Sequence, residues 1–370
     1  MVKKIILTTI FIIMVTFVDT VYAEQYHTSS VNFKRIGISD GLSQGAVQDI
    51  VQDSDGYMWF ATEDGLNKYD GVDFEFYRYS EDPKRGLSSN WIVDIIEDKS
   101  EQMWVATTAG VNVIDTSTEI INTYTEKDGL SNNSITEIFI DSKNRILVCT
   151  EDGLNLYNEK EKKFERILYD SKSDILTSQY ILGIQEDSNG VYWIATDKGL
   201  NSYDMSTGKV DKYIADKNYN SISDNYINDI LLDDNDILWI CTKNGGLNKF
   251  NIKTGKIDIF ENDENNSKSI PSNYINCVMK DKRGRIWVGS KGGLSLFDDI
   301  SNTFTTYKNK IYDSISLIDN NVVSLYQDIS NVIWIGTTKG ISYFNPDGIF
   351  KLYKNDPFDS NTISGDMIYI

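Results

Sequence analysis

One tryptophan context recurs along the chain at a nearly fixed interval. Trp59, Trp104, Trp193, Trp239, Trp287 and Trp334 share it, and Leu147 takes the same place in the third copy. Successive steps are 45, 43, 46, 46, 48 and 47 residues. A period of that length requires a stack of similar supersecondary units, because no single unit of that size buries its own apolar surface. The shared unit reads Asp-x-x-(Gly/Asn/Asp/Glu)-x-apolar-Trp-apolar-small-(Thr/Ser)-x-x-Gly, as in Asp53 to Gly65 and Asp281 to Gly293.

Each unit divides into four short strands. The first is an apolar run such as Ile92–Glu97 or Ile227–Leu232. An Asp-x-x-Gly turn leads to the second strand, which carries the Trp. A Thr-x-x-Gly turn opens the third, as in Gly65 to Tyr69. The fourth is rich in Phe and Tyr, as in Phe74–Tyr77, Phe164–Ile167 and Phe304–Tyr307. Aromatic and β-branched runs, glycine-punctuated turns and no long helical period specify antiparallel β. Four strands every ~45 residues is the pattern of a propeller blade. The expected fold is therefore all-β: a seven-bladed propeller over residues 31–353, with the start of a further repeat over 354–370. The Trp column and the small column (Ala61, Ala106, Cys149, Ala195, Cys241, Gly289, Gly336) are expected to fill the space between blades. An extra outer strand, Val31 to Ile36, precedes the first unit, and a second copy, Phe350 to Tyr353, follows the seventh. Either is able to complete the last blade and leave no open edge. The closing segment, Asn361 to Ile370, aligns with Asn220 to Ile230, so the chain reads as a fragment of a longer protein.

Residues 1–23 have the form of a secretory signal: Lys3 and Lys4, an apolar stretch from Ile5 to Val18, and Val21-Tyr22-Ala23 before Glu24. The alternative is an uncleaved anchor, for which the run is short. The chain is expected to be exported, outside the cytoplasm, and tethered to the membrane only through segments beyond residue 370. Its formal net charge is −19, and loss of the leader, with Lys3, Lys4 and Asp19, makes the mature chain more negative by a single charge. Such a chain repels nucleic acid and anionic lipid. The single histidine, His27, rules out a positioned imidazole within the repeats and a multi-histidine zinc site. Cys149 and Cys241 fall in the small column and read as core residues rather than disulfide partners or reactive thiols. No catalytic residue, metal ligand or cofactor is assigned.

The unit resembles the two-component regulator propeller repeat of bacterial sensors. Stretches that carry the resemblance are Leu87-Ser-Ser-Asn-Trp-Ile-Val-Asp-Ile-Ile-Glu-Asp, leading to Trp104, and Ser272 through Gly289. The third repeat departs most, with Leu147 for Trp and Asn144 for Gly. The resemblance implies an input domain outside the membrane, followed in such proteins by a small β-sandwich, a membrane helix and a histidine kinase or diguanylate cyclase output. Some members sense polysaccharide fragments, and dimerisation of the full-length sensor is a further expectation. The family supplies no fixed ligand residues.

Candidate binding residues come from the columns themselves. The position before each innermost strand reads Ala46, Trp91, Ser134, Tyr180, Tyr226, Tyr274 and Asn321. Four large aromatics at a wet rim suit stacking on sugars; the alternative is packing beneath neighbouring loops. The Thr-x-x-Gly turns belong to the same face. They carry Glu63, Asp64, Glu151 and Asp152 in blades 1 and 3, and Lys198, Lys243, Lys291 and Lys339 in blades 4 to 7. The expected site is thus a basic arc beside Tyr180, Tyr226 and Tyr274, with Trp91, binding an oligosaccharide or another polar small molecule. A third column, Asp49, Asp94, Glu137, Gly183, Asp229, Cys277 and Ser324, is expected to face the central channel and its water. Two functions compete with the sensor: a secreted glycan-cleaving enzyme and a passive protein-binding scaffold. No motif selects a pair of catalytic carboxylates, since the Asp-x-x-Gly turns recur in every blade.

Overall fold

The first carboxylate of each repeat unit explains its spacing. In the computed structural model, which describes residues 31–348 apart from residues 83, 169–174 and 217–219, Asp281 sits at the turn between the first two strands of its blade. Its Oδ1 accepts the amides of Arg283 and Arg285 at 2.9 Å each. Its Oδ2 accepts Trp287 Nε1 at 2.9 Å and Arg285 Nε at 2.6 Å. One side chain therefore closes the turn and fixes the indole six residues on. Asp53–Trp59, Asp98–Trp104 and Asp328–Trp334 repeat the indole bond at 2.7, 2.8 and 2.8 Å. Where Leu147 replaces Trp, the freed oxygen of Asp141 accepts Arg145 Nε and the Tyr192 hydroxyl of the next blade.

These units build seven four-stranded antiparallel sheets, six of them with strands in chain order from the axis outward. Blade 1 comprises Val47–Gln52, Met58–Thr62, Gly65–Tyr69 and Phe74–Tyr77. The innermost strands of successive blades pack side by side, and that of blade 7, Val322–Gln327, packs on that of blade 1. Both faces of each sheet are thus covered, so the second strands are buried at every position or at all but the first, as in Ile333–Thr337 and Gln102–Thr107. This is why the Trp-apolar-small-Thr stretch does not alternate.

The small column is small by necessity. A Cβ on Gly336 would lie 2.2 Å from Ser324 Oγ and 2.9 Å from the Val47 carbonyl of blade 1. On Gly289 it would meet Cys277 Sγ at 2.5 Å and Val322 at 2.6 Å. Cys149, Cys241 and Cys277 are buried and free.

A second lattice holds the opposite end of blades 1 to 5. Asn67 on the third strand accepts the Ser43 amide at 2.9 Å, and Ser43 Oγ meets Thr62 Oγ1 at 3.0 Å. Thr62 Oγ1 in turn donates to the Gly65 carbonyl at 2.7 Å. Ser88/Asn112, Ser131/Asn155, Thr177/Asn201 and Ser223/Asn248 repeat the pair. Blade 6 has Pro271 at the serine position and offers no amide there, and its asparagine is replaced by Ser295, which pairs with Thr306 at 3.0 Å.

The amino-terminal outer strand closes the ring. Lys34–Ile36 pairs antiparallel with Gly340–Phe344, Lys34 opposite Tyr343 and Ile36 opposite Ile341. Phe33 packs edge-on against Tyr307 and Phe344, and Arg35 donates to the Ser316 and Leu317 carbonyls at 2.8 and 3.0 Å. The second copy of that strand, the leader over 1–23 and the further repeat over 354–370 lie outside the described residues.

Replacing Asp281 with alanine leaves an indole N–H, a guanidinium and two turn amides without their acceptor. The expected loss is about 3 kcal/mol of folding stability, the scale of one or two buried polar groups left unpaired. Urea denaturation measures it, and a loss within about 0.5 kcal/mol, the scale of an ordinary surface substitution, contradicts this role.

Candidate functional site

The two columns assigned to a single face are joined by backbone hydrogen bonds. The amide of Lys243 donates to the Tyr226 carbonyl at 3.0 Å, that of Lys291 to Tyr274 at 3.2 Å, and that of Asp197 to Tyr180 at 3.4 Å. Thr108 donates likewise to Trp91, and Thr338 to Asn321. Each of these residues before an innermost strand is therefore tied to the Thr-x-x-Gly turn of its own blade. Together they form one rim around the end of the axis.

Tyr180, Tyr226 and Tyr274 are half-buried on consecutive blades 4, 5 and 6. Lys243 Nζ lies 4.1 Å from the Tyr226 ring centre, and Lys291 Nζ lies 3.6 Å from that of Tyr274. The rings thus hold the ammonium groups by cation–π attraction. A lysine thus covers one face of the Tyr226 ring and one face of the Tyr274 ring, so at these two positions the arc presents an ammonium group beside each phenol. Tyr180 shares a hydrogen bond with Tyr226. Burial, then the charges of Tyr226, Glu151 and Asp197, push its hydroxyl up, so it stays neutral. Blade 4 adds two acceptors: Gln179 Oε1, one residue before Tyr180, and Asp197 Oδ1, whose residue is tied to Tyr180 by its amide. Both are buried without a partner among the described residues.

The remaining sequence candidates divide. Trp91 is 49% exposed, but it stands on blade 2, separated from the tyrosines by Ser134 of blade 3. Lys198 is exposed beside Asp197. Lys339 pairs with Asp319 at 3.2 Å and is not a free cation. The acidic side is also weaker than the sequence implies. Arg78 neutralises Asp64 at 3.0 Å, and Arg166 neutralises Asp152 at 2.9 Å. Arg166 lies on the outermost strand of its blade and Arg78 directly follows that of blade 1, each fourteen residues on from its aspartate, a spacing that the repeat makes readable. The polarity of the rim therefore narrows to Lys198, Lys243 and Lys291 against Glu63, Glu151 and Asp197.

The channel column has a structural role that the residue pattern does not announce. Every innermost strand carries a register shift against the second strand, as between Val47 and Asp49. Within this irregular stretch, the acidic side chain accepts an amide of the next blade. Asp49 Oδ2 takes the Ile95 amide at 3.1 Å, Asp94 takes Ile138 at 2.6 Å, Glu137 takes Ile184 at 2.7 Å, and Asp229 takes Val278 at 2.9 Å. Asn228 and Asn276 add bonds to the Ile275 and Val322 carbonyls of the following blade. The acids clip blades together rather than serving only channel water. Among the described residues no cluster of three or more His, Cys, Asp or Glu could hold a metal ion.

Comparison with known proteins bears on this architecture. The family model "Two component regulator propeller" matches residues 41–64, 86–109, 175–198, 221–244, 269–292 and 316–339, passing over the blade that lacks the tryptophan. A histidine kinase of Formosa agariphila is 52% identical over 50 residues, 14% of this chain and 4% of the kinase. The extracellular domain of a hybrid two component system from B. thetaiotaomicron superimposes with a TM-score of 0.74 at 26% identity. The superposition covers 85% of this chain and 42% of that one, so the chain spans less than half of that relative. A catalytically inactive histidine-to-alanine variant of virginiamycin B lyase from Staphylococcus aureus, solved with quinupristin, shares the fold at a TM-score of 0.63 and 12% identity, over 85% of this chain and 99% of that one.

The channel acids give the rim's inner edge a titration of its own. Burial pushes Asp229 up to about 7 and Asp94 up to about 6, against an ordinary value of 3.8, although amides of the next blade pull both down. Burial and the Asp94 carboxylate raise Asp49, and burial with Asp94 and Asp229 raises Glu137. A carboxyl that holds its proton more tightly in the folded chain stabilises the fold below its unfolded value. It loses that contribution as pH rises through its folded value. Asp94 and Asp229 therefore favour the fold near pH 4 and lose that contribution as pH rises through about 6 and about 7. Asp229→Asn keeps an acceptor for Val278 and cannot titrate. Between about pH 5 and 8 the melting temperature of the wild type is expected to fall by a few degrees relative to that variant. A difference that does not change with pH contradicts the assignment.

Proposed function

The chain belongs to the two component regulator propeller family, and on that premise we propose that it is the ligand-sensing input domain of a membrane-bound bacterial signal-transduction protein. In this reading the propeller lies outside the cytoplasm and binds a carbohydrate or another polar small molecule on the rim of blades 4 to 6. The match to a histidine kinase favours a kinase as the output. The likeness to an extracellular two component domain favours the location, and no helix among the described residues is long and apolar enough to cross a membrane.

The observation that carries the ligand reading is the row of Tyr226–Lys243 and Tyr274–Lys291 on adjacent blades, next to blade 4, which carries the unpartnered acceptors Gln179 and Asp197. Ammonium groups seek oxygen atoms, and orphaned carbonyl and carboxylate oxygens seek hydroxyls. An oxygen-rich ligand bearing hydroxyls satisfies both. The residues come from loops of three blades, so a bound ligand ties neighbouring blades together at one end. That is a mechanical output an input domain requires.

The competing reading is an enzyme. The lyase likeness, at 12% identity, shows the fold alone. The variant of that protein that lacks one histidine is inactive, and the only histidine here, His27, precedes the first blade.

The Tyr226→Ala, Lys243→Ala double variant removes one cation–π unit from the rim without touching the interblade core. Against an oligosaccharide selected on a glycan array, calorimetry is expected to show about tenfold or greater weakening, the equivalent of ~1.4 kcal/mol. The melting temperature is expected to stay within about 2 °C, as for a substitution away from the core. Unchanged affinity overturns the rim assignment.

A further inference from the structure

Trp193 breaks the rule its fellows keep. The indoles of blades 1, 2, 5, 6 and 7 donate to their turn aspartates at 2.7 to 3.5 Å. In blade 4, Asp187 Oδ1 accepts the amides of Asn189 and Val191. Trp193 is only 5% exposed, and its Nε1 finds no acceptor among the described residues. Asp187 Oδ2 likewise takes no bond from them. A buried donor left unmade is costly and calls for a partner.

The residue paired with the Trp on the third strand explains why space remains there. Blades 1, 5, 6 and 7 place Lys68, Lys249, Leu296 and Tyr343 at that register. These long side chains cover the indole: Lys68 Nζ lies 5.2 Å from the Trp59 ring, and Tyr343 stacks on Trp334 at 4.6 Å. Blade 4 has Ser202. The result is a cavity of about 300 Å³ between blades 4 and 5, lined by Trp193, Ser202 and the Asp187 turn. Its mouth carries Lys209 paired with Asp211 at 2.7 Å, Lys253 paired with Asp236, and Asp204. A wider cleft of about 440 Å³ opens between blades 2 and 3, where Val113 faces Trp104. There the indole donates to Asp98, and the Tyr124 and Tyr157 hydroxyls bond each other at 3.0 Å.

The leftover groups of the blade 4 cavity select a ligand class. Its lysines are each matched by an aspartate, and Asp187 and Asp204 add unmatched negative charge, so an anion is repelled. A bare cation has no lone pair for the indole N–H. A hydroxyl accepts from one group and donates to another. We propose that this crevice binds a small neutral polyhydroxylated molecule, with one hydroxyl accepting from Trp193 Nε1 and it or its neighbour donating to Asp187 Oδ2. The site lies at the Asp-x-x-Gly end of the blades, opposite the tyrosine–lysine rim, and is independent of it.

The test is a titration of the ¹⁵N-tryptophan-labelled chain, followed through its seven indole N–H signals. Trp193→Phe identifies the relevant signal. Xylitol and myo-inositol are expected to shift it saturably and to leave the Trp59 and Trp287 signals in place. Ser202→Leu supplies the covering side chain that blade 6 has, and it is expected to weaken that response by about tenfold or more. Asp187→Asn, which removes the free carboxylate oxygen, is expected to do the same. Absence of a saturable shift overturns the proposal, as does an undiminished shift in both variants. A response to acetate or methylammonium in place of the polyols overturns the ligand class.

Discussion

An aspartate that grips an indole six residues away organises this propeller. Through one carboxylate it closes the turn between the first two strands and fixes the tryptophan that packs between blades. The cost of burying that carboxylate is offset by hydrogen bonds: burial alone would raise Asp281, yet Trp287 and Arg285 hold it below the usual carboxylate range. Asp141, which serves Arg145 and Tyr192 instead of an indole, is held low in the same way. Stability from these turn acids is present above their unfolded values and is lost as pH falls. The channel acids behave oppositely, since burial raises them and their contribution is lost as pH rises. The two sets bracket a pH range of greatest stability from opposite sides.

Repetition made most of the fold legible. The period, the four strands per unit and the small column all follow from residues that recur, and the blade strands named from the sequence lie within a residue of their expected bounds, while the closing strand begins at Lys34 rather than Val31. The closing strand was legible only as a choice between two copies, because pairing partners far apart in the chain leave no local mark. Lys34–Ile36 makes that choice through Arg35 and Phe33, whose contacts lie nearly the whole length of the propeller away. The asparagine column, Asn67, Asn112, Asn155, Asn201 and Asn248, stands in the sequence without a local mark of its partner. Its signal is joint replacement: Pro271 with Ser295 in blade 6, and Ile318 with Ser342 in blade 7.

The site was legible in position more than in chemistry. Tyr226, Tyr274, Lys243 and Lys291 stand together as the columns require. Side-chain pairing then alters what they offer, since each ring is capped by its lysine and Lys339 is bound by Asp319. Charge counting along one turn column misses partners on the outermost strand, as with Arg78 and Arg166. The interblade role of Asp49, Asp94, Glu137 and Asp229 depends on an irregular stretch in each innermost strand, where no distinctive residue marks the shift. The gap beneath Trp193 needs the register between second and third strands, which sets Ser202 opposite the indole.

A propeller that senses a polar small molecule binds it at one rim and leaves it unchanged. Hydrogen-exchange mass spectrometry of the chain with a panel of neutral and acidic oligosaccharides, with the bound sugar then recovered and weighed, tests this most directly. The expected result is slowed exchange in the loops around Tyr180, Tyr226 and Tyr274, with recovery of an intact ligand. Cleaved sugar, or protection that spares those loops, would contradict it.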